Sequence, residues 1–452
     1  MLSQQKIRRI AISRPERLFA LAFLAVLAGA VLSFGGAEPA SGFAAEAFLL
    51  LLAACALWLH SPHSPRLPWP GIALLFAVLA AEWRAVRPAA YPARAELLLV
   101  AASVCAFFIA ARVTEAAAMR RLLCGGVLAL SFFESLYGLA QYLTGWQQIG
   151  TYQKVEYTMM ATGTYINPNH FAGLLEMTLP LTFAWSLWGF ERFAAAKHPD
   201  RLRDSRWPIL AALVSGEIAP VFALFFFVTI VLAAALLFSR SRMGIFSAFI
   251  GLSAVAAGWI ANRGKLRVAS SRIAAAILLL LVFAGVFAAG AWIGFAPVLA
   301  RFRNTENDLP SRIALWRDTI QLIGAHPVWG TGPGSFEDAY TLVQAAHLDK
   351  RTDHAHDDYL EFAEEWGIPS AALLFALVGW ILVRGVSEYW RGRPSEERMI
   401  LLGCCGGVLA LLVHSIADFN LHIPANAFLF AGLLGLAWTI SEDLASRRAC
   451  TN

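Results

Sequence analysis

The sequence predicts an all-α, polytopic helical membrane protein of about twelve transmembrane helices, with a long extracytoplasmic loop that contains short amphipathic helices. Of 452 residues, 58% are hydrophobic and only 15% are charged, where a soluble domain would carry about a quarter charged residues. Apolar runs of about 18 residues or more recur along the chain, and each can cross a hydrocarbon core of roughly 30 Å. The runs are continuous rather than alternating, which excludes a transmembrane β-barrel.

Residues 1–17 are basic (Lys6, Arg8, Arg9, Arg14, Arg17) and lead into an apolar run from Leu18 to Phe34. Many further runs follow, so this is an uncleaved first helix rather than a secretory signal. The expected spans lie near 18–35, 43–60, 70–83, 96–112, 121–143, 170–190, 218–238, 243–261, 273–296, 368–386, 399–417 and 424–440. The apolar region 208–238 is too long for one straight span. Gly216, Glu217 and Pro220 break it, which places its first part in the interface. With both termini cytoplasmic, that side receives twice as many of the 36 Lys and Arg as the other, as the positive-inside rule requires. Arg84, Arg87 and Arg94 run against the rule. The net charge of +5 is accounted for by this sorting, so no nucleic-acid partner is implied. The cysteines (Cys55, Cys105, Cys124, Cys404, Cys405, Cys450) show no CxxC spacing, and neither a disulfide framework nor a zinc site is indicated; they are small core residues. No internal repeat or low-complexity tail is found, so residues 1–452 form one membrane domain.

This layout gathers four segments on the extracytoplasmic face: the loop 144–169, the SRSRMG turn 239–244, the loop 297–367 and the DFNLHIP turn 418–424. The loop 297–367 is the one long polar stretch, and it holds Arg312, Trp316, Arg317, His347, His354, His356 and several carboxylates. A helix start is expected at Pro310–Ser311, with Ile313, Trp316, Ile320 and Ile323 on one apolar face. Ser335–Asp338 reads as a capping box opening a second helix, and the GTGPGS run between them is a turn. A third helix starts near Asp353–Asp357.

Several residues could carry chemistry, each beside a plainer reading. Arg242 stands at the edge of a span, where a guanidinium is costly and a functional candidate by default; snorkelling to the headgroups is the alternative, and suits Arg240 better. Arg312 shares a helix face with Trp316, and alone would be a solvated charge. His356 follows His354 and precedes Asp357 and Asp358. An HxH beside carboxylates is compatible with metal ligation, with general base catalysis or with a solvated loop, and further ligands at recognisable spacing are not apparent. His326 and His347 are weaker candidates. Asn167, Asn169 and His170 could bind sugar hydroxyls or a phosphate, or could form an ordinary Asn-Pro turn. His414 and Asp418 lie one helical turn apart, as a satisfied polar pair or with Asp418 orienting a partner. Of the fifteen tryptophans, Trp146, Trp316, Trp329 and Trp366 could stack on sugars.

Ser241-Arg242-x-Gly244, Ser311-Arg312-x-x-x-Trp316, Gly330-x-Gly332-Pro-Gly-Ser-Phe336, His356-Asp-Asp-Tyr-Leu360 with Glu364, and Gly367-Ile-Pro369 occur in this order. Together with GTYINPNHFA before the sixth span and DFNLHIPAN before the last, the set resembles the O-antigen ligase/polymerase family of bacterial envelope glycosyltransferases over roughly residues 120–440. The resemblance implies a multi-pass protein of the bacterial inner membrane with its active site on the periplasmic face. Its donor would be an undecaprenyl-pyrophosphate-linked glycan, its acceptor a growing glycan or a lipid A core, and neither metal nor another cofactor would be needed. Arg242 and Arg312 would bind the donor pyrophosphate and His356 would deprotonate the acceptor hydroxyl, with inversion at the anomeric carbon. Asn167, Asn169, His170, Trp316, His354, Asp357 and Asp418 would line the substrate. Asp357 departs from the family, where many members carry Asn. The short tail after the last span points away from the protein-glycosylating branch. A transporter or flippase of lipid-linked glycan is the alternative, but polar residues collected at one face and the lack of repeats speak against it. A metal-binding sensor built on HxH is a third reading.

Overall fold

The computed structural model describes residues 14–58, 90–197, 220–264, 305–344 and 352–450. The long apolar runs fold as helices: α1 (Arg14–Leu32), α2 (Pro39–Trp58), α3 (Ala90–Val113), α4 (Ala117–Thr144), α5 (Pro168–Lys197), α6 (Pro220–Ser239) and α7 (Arg242–Gly264). The loop that follows contributes α8 (Thr305–Ala325), α9 (Phe336–Tyr340) and α10 (Asp358–Trp366). Last come α11 (Ile368–Trp390), α12 (Glu396–His414) and α13 (Pro424–Ala449), with a 3-10 turn at Asn420–His422. Two-residue strands β1 (Gln148–Ile149) and β2 (Tyr152–Gln153) form a small antiparallel hairpin. Among the described residues nine helices are long and apolar enough to cross a membrane, and the protein is an all-α polytopic membrane protein. The expected spans 70–83 and 273–296, the segment 208–219, Arg84, Arg87 and His347 lie outside the described residues.

The contacts divide the chain into two compact units. One comprises Met1–Cys124, Ala300–Leu382 and Leu412–Thr439; the other comprises Gly125–Leu299, Val383–Leu411 and Ile440–Asn452.

In the first unit, α1, α2, α3 and α13 approach closely through small residues. A Cβ on Gly435 would strike the Phe107 carbonyl, and the Thr439 hydroxyl donates to Ala111 O at 2.7 Å. Without water to drive association, such close backbone packing and inter-helix hydrogen bonding hold spans together. The loop helices of the same unit pack around Leu315, Leu322, Phe336, Tyr340 and Ala355. Phe336 and Tyr340 stack at 5.5 Å, and burying two such rings contributes on the order of 2–3 kcal/mol each.

Three expectations for this loop are corrected. α8 begins at Thr305 rather than Pro310. Its protein-facing side is Leu315, Asp318, Thr319 and Leu322, while Ile313 and Ile320 are more than half exposed. The capping box at Ser335–Asp338 is not formed: the Ser335 hydroxyl donates to Gly332 O at 2.6 Å and makes no cap bond. Glu365 instead accepts the Gly334 and Phe336 amides, at 2.9 and 3.1 Å. The third helix starts where expected. Asp357 is its N-cap and accepts the Leu360 amide at 2.9 Å, and Gly367, at φ 78°, ends it.

In the second unit α5 is buried almost all round, so it is a core helix rather than a lipid-facing one. Glu176, Thr178, Thr182 and Ser186 are fully buried along it. The three hydroxyls donate to carbonyls one turn back, which satisfies them without breaking the helix. Gly244, Gly251, Gly403 and Gly407 let α7 and α12 reach α5 at Ala172, Pro180, Leu181 and Met177.

Candidate active site

The site is built on α10. Asp358, Glu361, Glu364 and Glu365 recur at helical spacing, so one face carries four carboxylates, and all four are buried. Buried carboxylates persist only where partners or protons compensate them. Glu361 accepts from His354 Nδ1 at 2.6 Å and from the Ala355 amide at 2.8 Å. Asp358 accepts the Ser415 hydroxyl at 2.6 Å and His422 Nδ1 at 2.9 Å. Glu364 accepts the Thr331 hydroxyl at 2.7 Å. Glu365 takes the two loop amides given above.

Charge follows from these contacts. Burial alone would push the His422 imidazolium down, but Glu361, Glu96 and Asp358 hold it well above 6.5. His354 follows the same pattern: burial lowers it, and Glu361 more than reverses this. Burial pushes Glu361 up, yet the His354 and His422 charges leave it below the usual carboxylate value. Burial, followed by the negative charges of Glu96 and Glu361, pushes Glu365 well above its ordinary range. The imidazoles of His354 and His422 thus alternate with the carboxyl groups of Glu361 and Asp358. Donor atoms of His354, Glu361 and His422, and of Glu96, Glu365 and His422, also lie within 4.8 Å of one another, spacing that could admit a cation.

Gly330 and Gly367 join this helix to the loop before it. Gly330 has φ 68° and Gly367 has φ 78°. A Cβ on Gly330 would strike the Glu365 carbonyl, and one on Gly367 the Val328 carbonyl. The Thr331 and Gly332 amides then donate to Glu364 O and Glu365 O, at 2.9 and 3.0 Å. Only glycine accepts both the left-handed backbone and the close approach.

At the N-terminal end of α10, His354 and His356 share one aromatic platform. The His354 ring stacks on Phe419 at 3.9 Å, and His356 meets the same ring edge-on at 5.0 Å. His356 has φ 51°, a left-handed backbone that a bulky residue keeps only when its surroundings impose it. Its side chain is 33% exposed, with Nδ1 3.7 Å from Asp418 Oδ1. Asp418 is 1% exposed, and its other oxygen lies 3.9 Å from His414 Nε2. Asp418 Oδ1 also accepts the Phe419 amide at 2.9 Å. From α8, Arg312 Nη1 donates to Ala417 O at 2.5 Å and Trp316 Nε1 to Ala355 O at 3.2 Å. One helix face thus reaches both the DFNLHIP turn and the HxH loop.

Of the residues expected from sequence, the first unit brings together Arg312, Trp316, His354, His356, Asp357 and Asp418. Asp357 spends its carboxylate on the helix cap, and burial pushes its pKa up to about 6. Trp366 is buried, whereas Trp146 and Trp329 are exposed. Arg242, Asn167, Asn169 and His170 belong to the second unit. There Asn167 Oδ1 accepts the Asn169 amide at 2.9 Å, and its Nδ2 lies 3.4 Å from His170 Nε2, a local turn opening α5. Arg242 is the first residue of α7, whose Ser241 hydroxyl accepts the Gly244 amide at 3.2 Å. Sequence reading missed Glu96, Asp358, Glu361, Glu365, Phe419 and His422. A carboxylate inside an apolar span, as Glu96 is, was the available signal.

Fold and site define a polytopic helical membrane protein with a histidine–carboxylate centre on the loops that join its spans. The family model described as O-antigen ligase matches residues 227–376. Over those residues the chain is similar to that family, whose described character is that of an O-antigen ligase. No curated protein matches the chain.

Proposed function

We propose that the protein transfers or polymerises an undecaprenyl-pyrophosphate-linked glycan at the periplasmic face of the bacterial inner membrane, without a metal. The observation that carries this reading is the meeting of His356, Asp418, Arg312 and Trp316 within one unit. His356 accepts the proton of the acceptor hydroxyl, and the freed oxygen attacks the anomeric carbon. The bond from that carbon to the pyrophosphate oxygen breaks on the opposite face, so the centre inverts and undecaprenyl pyrophosphate leaves. Histidine suits the first step because its charge changes near neutral pH. Asp418 lies on the Nδ1 side of the ring, where a carboxylate orients the imidazole and stabilises the imidazolium. Separations of 3.7 Å tighten when substrate binds. Arg312 offers N–H groups to the leaving pyrophosphate, a charge-assisted contact that needs no metal; the family resemblance gives Arg242 a donor-binding role as well.

Reconstitution with undecaprenyl-pyrophosphate glycan and a glycan or lipid A core acceptor, in EDTA, tests the reading. A lengthened or joined glycan with release of undecaprenyl pyrophosphate is expected. Movement of the lipid between leaflets without any new glycosidic bond would overturn it in favour of a carrier.

A further inference from the structure

The turn between α6 and α7 holds a cation that the reading above does not use. Snorkelling suits Arg240 on sequence grounds; the residue is half-buried, and one edge of its guanidinium faces inward. Its guanidinium carbon lies 5.6 Å from the centre of the Tyr142 ring, and that ring stacks on Phe238 at 4.8 Å. Arg240 Nε and Nη2 are buried and have no hydrogen-bond partner among the described residues. These two donors share one edge of the guanidinium, the fork that takes two oxygens of one phosphate. Arginine cannot relieve such burial by losing its proton. The backbone is also unusual, with φ 59° at Arg240, a conformation seldom kept by a non-glycine residue without a reason.

A second cation is tied to the same turn. The Ala161 amide donates to Phe238 O at 3.0 Å, which fastens the loop after β2 to the end of α6. In that loop Lys154 is 2% exposed. Its ammonium donates to Thr162 Oγ1 at 2.9 Å and to Met160 O at 3.3 Å, so one of its three donors is unused. No carboxylate pairs with either cation among the described residues. Glu134, the buried acid on α4, is committed to the Thr164 amide and hydroxyl at 2.8 and 3.0 Å, and Glu156 is exposed. Burial lowers the Lys154 ammonium to about 8, as expected of a cation that lacks a counter-charge.

We propose that Arg240 and Lys154 form an anion site on this turn that takes a phosphate or pyrophosphate group. The Arg240 guanidinium lies against Tyr142, and Arg240 is itself only half-buried, so rotation of its long side chain would present the fork. The phosphate could belong to the glycan donor, in which case the site deepens the function proposed above, or to an acidic phospholipid headgroup.

The test uses the full-length protein and two probes: inorganic pyrophosphate titrated in detergent, and phosphatidylglycerol retained from mixed phosphatidylcholine–phosphatidylglycerol nanodiscs, counted by native mass spectrometry. Arg240→Gln and Lys154→Gln are compared with wild type, with exposed Arg393→Gln as control. Loss of charge-assisted contacts should weaken pyrophosphate binding about tenfold or more in Arg240→Gln, with Arg393→Gln unchanged. Arg240→Lys, which keeps the charge and loses the fork, should recover part of it. Unchanged pyrophosphate binding with reduced phosphatidylglycerol retention assigns the site to a headgroup and also supports the proposal. A wild type that takes up neither probe, or an Arg240→Gln protein equal to wild type with both, overturns it. Should Arg240→Gln fail to fold, Arg240→Lys decides, and wild-type affinity for both probes refutes the fork. If Arg242→Gln leaves pyrophosphate binding intact while Arg240→Gln weakens it, the donor role of Arg242 fails and this site stands.

Discussion

Glu364 allows a quantitative prediction. Its side chain is fully buried, Oε1 accepts the Thr331 hydroxyl at 2.7 Å, and Oε2 is buried with no hydrogen-bond partner among the described residues. Burial raises its pKa from the ordinary 4.5 to about 7; the Thr331 hydrogen bond opposes this and the Glu361 charge adds to it. Between those values the folded chain holds a proton that the unfolded chain has released. The contribution of Glu364 to stability is therefore complete below about pH 4.5 and is lost as pH rises through about 7. At 1.36 kcal/mol for each pH unit the loss approaches about 3 kcal/mol. Glutamine keeps the shape and an acceptor for Thr331 but never ionises. Glu364→Gln should match wild type near pH 5 and exceed it at pH 8 by up to about 3 kcal/mol, roughly 3 °C in Tm. Thermal unfolding followed by intrinsic fluorescence from pH 5 to 8 reads this directly. A gap of the same size at both ends, or no gap at pH 8, would refute an ionisation forced by burial.

Three further outcomes follow from the same geometry. Asp418→Asn should lower kcat about tenfold or more with little change in KM for donor, because it removes the charge beside His356 and leaves Arg312 in place; a rate series over donor concentration checks this. Gly330→Ala should cost more stability than Gly145→Ala. Both positions have positive φ, at 68° and 71°, which costs about 1–2 kcal/mol for a residue with a Cβ. Only Gly330 also faces a backbone carbonyl, and nothing lies within 4 Å of the Cβ position at Gly145. Equal losses in Tm would contradict the reading of the Gly330 turn. Asp357→Asn should be at least as stable as wild type at neutral pH, since Asn caps a helix as well as Asp and never ionises, whereas Asp357→Ala should lie about 1 kcal/mol below Asp357→Asn; chemical denaturation of the pair decides.

The helices were legible because apolar length is enough to define a span. The side each loop helix presents was not. In α8 Ile313 and Ile320 are exposed while Asp318 and Thr319 are buried. The rule that apolar residues face the protein interior fails where apolar side chains have somewhere else to go and polar ones need protein partners. The site was half legible. Arg312 and Trp316 stood out by shared helix face, and the structure gives them contacts to Ala417 and Ala355, in the loops of the candidate site. The carboxylates Asp358, Glu361 and Glu365 look like an ordinary solvated helix in sequence. Their burial depends on His354, His422 and two loop amides contributed by distant parts of the chain. The position of the Arg240 guanidinium 5.6 Å from the Tyr142 ring centre was not legible in the sequence, because the left-handed backbone at this residue carries no sequence signal.

The most direct measurement is glycan transfer from an undecaprenyl-pyrophosphate donor by purified wild type, His356→Ala and Arg242→Ala, in EDTA and with equal folded protein. The account predicts product in the wild type and its loss in both variants, with donor binding retained by His356→Ala and weakened in Arg242→Ala. Full activity in His356→Ala would contradict it, because the acceptor's proton is assigned to His356.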